Sequence, residues 1–189
     1  MVRDFSERTV PPEVLERILE AALHGPSAGF AQGLELVVLD APDDVVRFAE
    51  TTDPWRRKRP RGRPFAPVVV IPLADKRAYL ARYSEPDKRG LGMEDERGWP
   101  VAYWELDAAM AVMLLLLAAV DEGLGAWYFG IFRGERELLE WLGAPDGPRP
   151  IGAVALGYPA RGERARGSSR ARRRRALGEV VHRGRWGRH

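Results

Sequence analysis

From Ala108 to Val120 every residue is apolar, and Asp107 and Asp121 close the run at its two ends. No other stretch of the chain is as apolar, so what this one can become limits the fold. A membrane-spanning helix needs roughly 20 such residues, and the run falls short of that. It reads instead as a helix from about Tyr103 to Glu122, buried all round inside a globular core. The chain has 189 residues, 45% of them apolar and 9% aromatic, enough for one domain with a real core and unlike disordered, collagen-like or low-complexity sequence. It has no cysteine, which removes disulfides, thiolate metal sites and cysteine nucleophiles together. Met1 to Glu7 contains Arg3, Asp4 and Glu7 and no apolar signal region, so a cytoplasmic protein without membrane association is expected.

Periodicity places the other elements around that helix. Pro11, Pro12 and Glu13 open a helix, Val14, Leu15, Ile18, Leu19 and Ala22 recur at helical spacing, and Gly25-Pro26 ends it. Leu34 to Leu39 and Val68 to Ile71 read as buried strands, Pro42-Asp43-Asp44 opens a short helix, and Arg77 to Tyr83 reads as one or two helical turns. After the long helix, Gly123-Leu124-Gly125 turns the chain into a strand from Ala126 to Phe132. A helix from Glu135 to Leu142 and a strand from Ile151 to Leu156 follow. Residues 55–67 read as a charged, proline-rich surface loop and 84–100 as a mobile excursion. With no repeat and no dividing linker, residues 1–189 are expected to form a single domain of the α+β class.

The net charge of +3 hides an asymmetry: residues 161–189 carry +9, which leaves −6 for residues 1–160. Arg56, Arg57, Lys58, Arg59, Arg61 and Arg63 form a second basic island. Such patches suit nucleic acid, an anionic membrane surface or a phosphate on a small cofactor, and a solvated arginine tail also accounts for them. Arginine is the habit of the chain, since Lys58, Lys76 and Lys88 are its only lysines.

Familiar catalytic motifs fail on context. Gly25-Pro26-Ser27-Ala28-Gly29 matches G-x-S-x-G, but a nucleophile elbow needs a strand before the serine and a helix after it, and here the order is reversed. The histidines are His24, His182 and His189, scattered and without carboxylate-rich neighbours, so no metal site is expected. A dinucleotide fingerprint starting at Gly123 requires glycine at position 128, which is Tyr128. No helix-turn-helix or zinc-finger pattern supports sequence-specific DNA binding. What remains is a helix end followed by small residues, where backbone amides and the Ser27 hydroxyl can approach a polar ligand, with Gln32 nearby. A plain helix-terminating loop explains the same residues.

Taken together, several segments resemble the flavin-dependent nitroreductase family. They are Arg3-Asp4-Phe5; Glu13 to Ala22 leading into Pro26-Ser27-Ala28-Gly29-Phe30-Ala31-Gln32; Asp107 to Val120 ending in Asp121 to Ala126; Gly130; and Leu156-Gly157-Tyr158-Pro159, followed by a basic stretch into Glu179 to His182. They occur in the family's order over about two-thirds of the chain.

The resemblance implies an α+β fold with a central, mostly antiparallel sheet flanked by helices, assembled as an intertwined homodimer with FMN at the subunit interface. It implies an oxidoreductase in which NAD(P)H reduces FMN and a nitroaromatic, quinone or activated alkene then takes the electrons. Carried onto this sequence, Arg3 lies near the flavin, Pro26, Ser27 and Ala28 approach it from the partner subunit, and Gln32 is nearby. Phe129, Gly130 and Ile131 present a backbone amide towards the flavin N5. Arg173 and Arg175, on one side of an extended segment, are expected to hold the phosphate, with Arg172 and Arg174, or Arg183 and Arg185, as alternatives. No catalytic acid or base is named, because water can supply the proton. Phe30 stands where many family members have asparagine, and residues 55–104 depart from the family pattern on the substrate side. The alternatives are a flavin- or nucleotide-binding protein without turnover and a basic nucleic-acid-associated protein.

Overall fold

A computed structural model of the chain describes residues 1–52, 62–163 and 172–188. In chain order the elements are α1 (Pro12–Leu23), β1 (Leu34–Leu39), α2 (Pro42–Thr52), β2 (Val68–Ala74), α3 (Lys76–Tyr83), α4 (Tyr103–Asp121), β3 (Gly125–Phe129), α5 (Glu135–Leu142), β4 (Arg149–Pro150) and β5 (Ala153–Gly157). The expected α+β class stands. The strands form one antiparallel sheet in the order β1-β2-β5-β3, with the short β4 also paired to β2.

Strand β2 explains the layering. Every residue of Val68–Ala74 is buried, and successive side chains point to opposite faces. Val68 and Val70 join Val154 and Leu156 of β5 against Leu15, Ile18 and Ala22 of α1 and Ala111, Val112 and Leu115 of α4. Val69, Ile71 and Leu73 face the other way, onto Val45 and Phe48 of α2 and Leu138 of α5. Helices therefore cover both faces of the sheet. The expected strand from Ile151 to Leu156 is interrupted at Gly152, whose φ of 141° and close approach to the Phe129 carbonyl, 2.7 Å from where a Cβ would sit, leave room for glycine only.

Helix α4 departs from the expectation of burial all round. Trp104, Asp107, Ala108, Ala111, Val112, Leu115 and Ala119 turn inward. Leu106, Met110, Met113, Leu117 and Val120 form a second apolar stripe that is 43–66% exposed. The sheet and α1 reach one side of the helix, and nothing among the described residues covers the other. The same helix, with 19 residues and a mean hydropathy of 1.7, is long and apolar enough by composition to cross a membrane, which corrects the estimate of length made from the uninterrupted run alone. In the structure its inner stripe is committed to α1 and the sheet.

The excursion before α4 is anchored. Trp99 packs edge-on against Tyr79, Tyr83 and Trp104, and its indole N–H donates to the Met93 carbonyl at 2.8 Å. Residues 53–61, and with them most of the Arg56 to Arg63 island, lie outside the described residues.

Candidate active site

The turn after α1 is built from small residues and pinned from four directions. Gly25 brings the helix end against α4, so close that a Cβ would lie 3.0 Å from Ala111. Ser27 is extended, and the chain then makes one tight turn over Ala28–Phe30. Gly29, Phe30 and Gln32 all have left-handed φ, at 61°, 57° and 53°. For Phe30 and Gln32 that conformation costs roughly 1–2 kcal/mol each, so it persists only where the surroundings dictate it. The Ala28 amide donates to Asp107 Oδ2 at 2.8 Å, the Gln32 amide to Ser27 Oγ at 2.8 Å, and Arg82 Nε to the Gly29 carbonyl at 2.9 Å. Beneath the turn the Tyr79 hydroxyl donates to the same Asp107 Oδ2 at 2.8 Å.

Tyr79 is 1% exposed, and that burial pushes its hydroxyl well above the ordinary tyrosine range. The nearby Ser27 hydroxyl opposes the shift and Asp107 reinforces it. The Ser27 hydroxyl accepts from the Gln32 amide within the turn. Pro26 and Gln32 are exposed, Ser27 and Ala28 half-buried, and the Phe30 ring is 74% exposed. From Pro26 to Phe30 the outer surface is therefore built of small residues except for one phenyl ring, with Gln32 beside it.

The other expected ligands lie elsewhere. The N-terminal segment runs beside the sheet: the Val2 amide donates to the Ala126 carbonyl at 3.0 Å, and Phe5 bridges Pro159. This places the Arg3 guanidinium 5.8 Å from the Trp127 ring, at β3, while the Arg3 amide donates to Glu163 at 3.1 Å. The strand β3 stops at Phe129, earlier than the expected Phe132, so Gly130 and Ile131 leave the sheet as irregular backbone. Phe129 and Ile131 pack with the cluster under α2 and α5, whereas Ala28 and Ala31 pack with Tyr79, Trp99 and Trp104. Arg3, beside Trp127, and Phe129–Ile131 thus both lie along β3 and its exit, and Pro26–Gln32 belongs to a different part of the chain. Near the C-terminus, Arg173 and Arg175 both reach Glu179: Arg173 pairs with its carboxylate at 2.6 Å, and Arg175 bonds its backbone carbonyl and lies 3.8 Å from its carboxylate. A cavity of about 760 Å³ between α1, the N-terminal segment and residues 63–68 is lined by Phe5, Leu15, Val38, Arg63 and Phe65, and by none of the expected ligands.

Among the described residues, no group of three or more His, Asp or Glu side chains is placed to hold a metal ion. The nitroreductase family profile matches residues 1–158. The chain belongs to the nitroreductase family. An NADH dehydrogenase of Thermus thermophilus is 30% identical over 175 residues, spanning 84% of this chain and 82% of that protein. The FMN reductase [NAD(P)H] of Bacillus subtilis is 27% identical over 163 residues, 84% of this chain and 62% of its own length. Among solved structures, an FMN-dependent nitroreductase of Clostridium difficile covers 98% of this chain and 94% of its own at a TM-score of 0.68 and 20% identity, a likeness of fold.

Within that family frame, Asp107, Tyr79 and Arg82 are the residues that sequence reasoning passed over. Asp107 carried a signal: a carboxylate in register with the inner apolar face of α4, one turn inside the helix. It reads as a boundary until the Ala28 amide is seen bonded to it.

Proposed function

We propose that this chain is a homodimeric FMN-dependent oxidoreductase that takes reducing equivalents from NAD(P)H and delivers them to a nitroaromatic, quinone or activated alkene. The observation that carries the reading is the division of the expected ligands between two regions of a protomer whose central helix leaves an apolar stripe uncovered. Leu106, Met110, Met113, Leu117 and Val120 alternate in steps of four and three, the spacing of a helix–helix seam. A second copy packed there covers the stripe and brings its Pro26–Gln32 turn, which is docked on α4, to a β3 end of the first.

The residues present fit FMN. Arg173 and Arg175 already converge on one carboxyl-bearing residue, the arrangement a phosphate requires. The Pro26–Ala28 surface has no bulky side chain to obstruct a planar ring. When bound, FMN supplies the hydride chemistry. The chain's own part is to hold and orient: Arg173 and Arg175 bind the phosphate, Arg3 contributes positive potential at the pyrimidine end, and the irregular backbone of Phe129–Ile131 offers an amide donor. Pro26, Ser27 and Ala28 of the second copy close the ring's surface, with Gln32 beside them. No side chain acts as acid or base, and solvent water provides the proton. The reading is of a cytoplasmic enzyme, where NAD(P)H is supplied.

The test is spectroscopic. The purified protein takes up FMN and turns yellow, NADH or NADPH bleaches it without oxygen, and a quinone or nitroaromatic restores the colour. A protein that stays colourless with added FMN overturns the proposal. One that binds FMN but is not bleached by either nicotinamide is a binding protein and not this enzyme.

A further inference from the structure

A carboxylate on the inner face of the most apolar helix in the molecule needs a reason. Asp107 is 6% exposed, and a buried charge is costly unless strong hydrogen bonds compensate it. An apolar residue of similar size would suit the position better for stability alone, as at Ala108 and Ala111 beside it. The groups bonded to Asp107 are the Ala28 amide and the Tyr79 hydroxyl, both on Oδ2 at 2.8 Å. Ser27, in the same turn as Ala28, lies near enough to the Tyr79 hydroxyl to act on it electrostatically. Both links lead to the same turn, and to the two residues of it whose surface is small. That turn holds Phe30 and Gln32 in a backbone conformation that neither residue favours, so without its anchors it relaxes.

We propose that Asp107 is a positioning residue of the flavin site. Through the Ala28 amide directly, and through Tyr79 beneath the turn indirectly, it fixes the Ser27–Gln32 turn, with its left-handed Gly29, Phe30 and Gln32, so that a surface of small residues is offered to the isoalloxazine ring with the Phe30 ring at its edge. A charged acceptor makes a stronger bond to a backbone amide than a neutral one, which accounts for a carboxylate where a serine or asparagine would bond more weakly. The bond also uses the Ala28 N–H, so the turn presents its surface to the ring without that donor. The inference rests on the FMN reading, and the wild-type chain tests that reading separately by taking up FMN.

The experiment compares wild type, Asp107→Ala, Asp107→Asn and Tyr79→Phe, each at a temperature where circular dichroism shows it fully folded. FMN affinity is read from fluorescence quenching and the bound-flavin visible spectrum, with kcat and KM for NADH and a quinone. Asp107→Ala is expected to weaken FMN binding about tenfold or more and to alter the bound spectrum. Tyr79→Phe, which keeps the ring packing and removes one link, should weaken it by about threefold, and Asp107→Asn, which keeps an acceptor oxygen, should fall between wild type and Asp107→Ala. If wild type binds FMN while Asp107→Ala and Tyr79→Phe melt earlier but bind it equally well with an unchanged spectrum, the residue is merely structural and the proposal is overturned. Should Asp107→Ala fail to fold, Tyr79→Phe decides: unchanged FMN affinity and spectrum in that variant overturn it.

Discussion

Replacing Met113 with glutamate probes the uncovered stripe of α4 at its middle. Met113 is 52% exposed in the protomer, flanked along the stripe by Met110 at 43% and Leu117 at 54%. Fully burying such a side chain is worth about 1.5–3 kcal/mol, so covering the exposed half contributes about 1 kcal/mol per residue. Over the five stripe residues of both copies this comes to roughly 10 kcal/mol, within the roughly 4–15 kcal/mol that association costs in lost freedom. In the proposed dimer the stripe would thus offset the cost of pairing without a large surplus, which makes such a dimer sensitive to it. Met113→Glu removes about 2 kcal/mol of burial per dimer and sets two uncompensated carboxylates in the seam, at a further 1–3 kcal/mol or so each. A loss near 5 kcal/mol raises the dimer dissociation constant by about three to four powers of ten. Sedimentation velocity over a dilution series reads this directly, with Arg136→Glu on the exposed face of α5 as a charge-changing control. Circular dichroism should show Met113→Glu folded, and its FMN should be lost in step with the dimer. A variant that stays dimeric at wild-type concentrations, or a wild-type protein that is monomeric and yet retains FMN, refutes the reasoning.

Phe30→Asn should raise thermal stability by about 0.5–1 kcal/mol, because asparagine tolerates the left-handed φ that phenylalanine does not; a lower melting temperature would show that the ring is more than strained surface. Changing Arg173 and Arg175 together to alanine should weaken FMN retention at least tenfold with no change in the melting profile of the apoprotein, and unchanged flavin occupancy would move the phosphate role to Arg183 and Arg185. Asp75 caps α3, accepting from the Arg77 amide at 2.9 Å. The Arg77 side-chain hydrogen bonds hold its carboxyl below the usual range, with burial opposing. That stabilisation is present above the unfolded aspartate value near 3.9 and is lost as pH falls through the lower folded value. Denaturant titrations should therefore show Asp75→Ala about 1 kcal/mol less stable than wild type at pH 7 and the gap narrowing below pH 4; a gap constant down to pH 2 would contradict the ion-pair account.

The elements were legible where a single period acts over several turns. Val14, Leu15, Ile18, Leu19 and Ala22 could face one way only on a helix, and α1 forms over Pro12–Leu23 with three of those residues buried. What the sequence hides is which body does the burying. Along α4 both stripes are apolar, and periodicity cannot distinguish a residue that meets its own sheet from one left for another chain. Backbone strain was equally silent: nothing in Phe30 announces a φ of 57°, because the conformation is imposed by Asp107, Tyr79 and Arg82 from distant parts of the chain. The break at Gly152 follows the same logic, since the neighbour that demands glycine is the Phe129 carbonyl, remote in sequence.

On the two proposals helix α4 has a function on each of its opposite sides, and this makes them testable against each other. Its first turns hold Asp107, proposed to set the shape of the Ser27–Gln32 turn, while its outer stripe is the proposed seat of the second copy that would receive that turn. If both act on flavin binding through the turn alone, correct shape has no value once the partner is gone, and the partner loses much of its value once the shape relaxes. The double variant Asp107→Ala with Met113→Glu should then bind FMN no more weakly than Met113→Glu by itself, a coupling free energy about equal to the whole effect of Asp107→Ala. Strictly additive losses would mean that Asp107 acts on the flavin within its own protomer, and the site would have to be redrawn without the partner's turn.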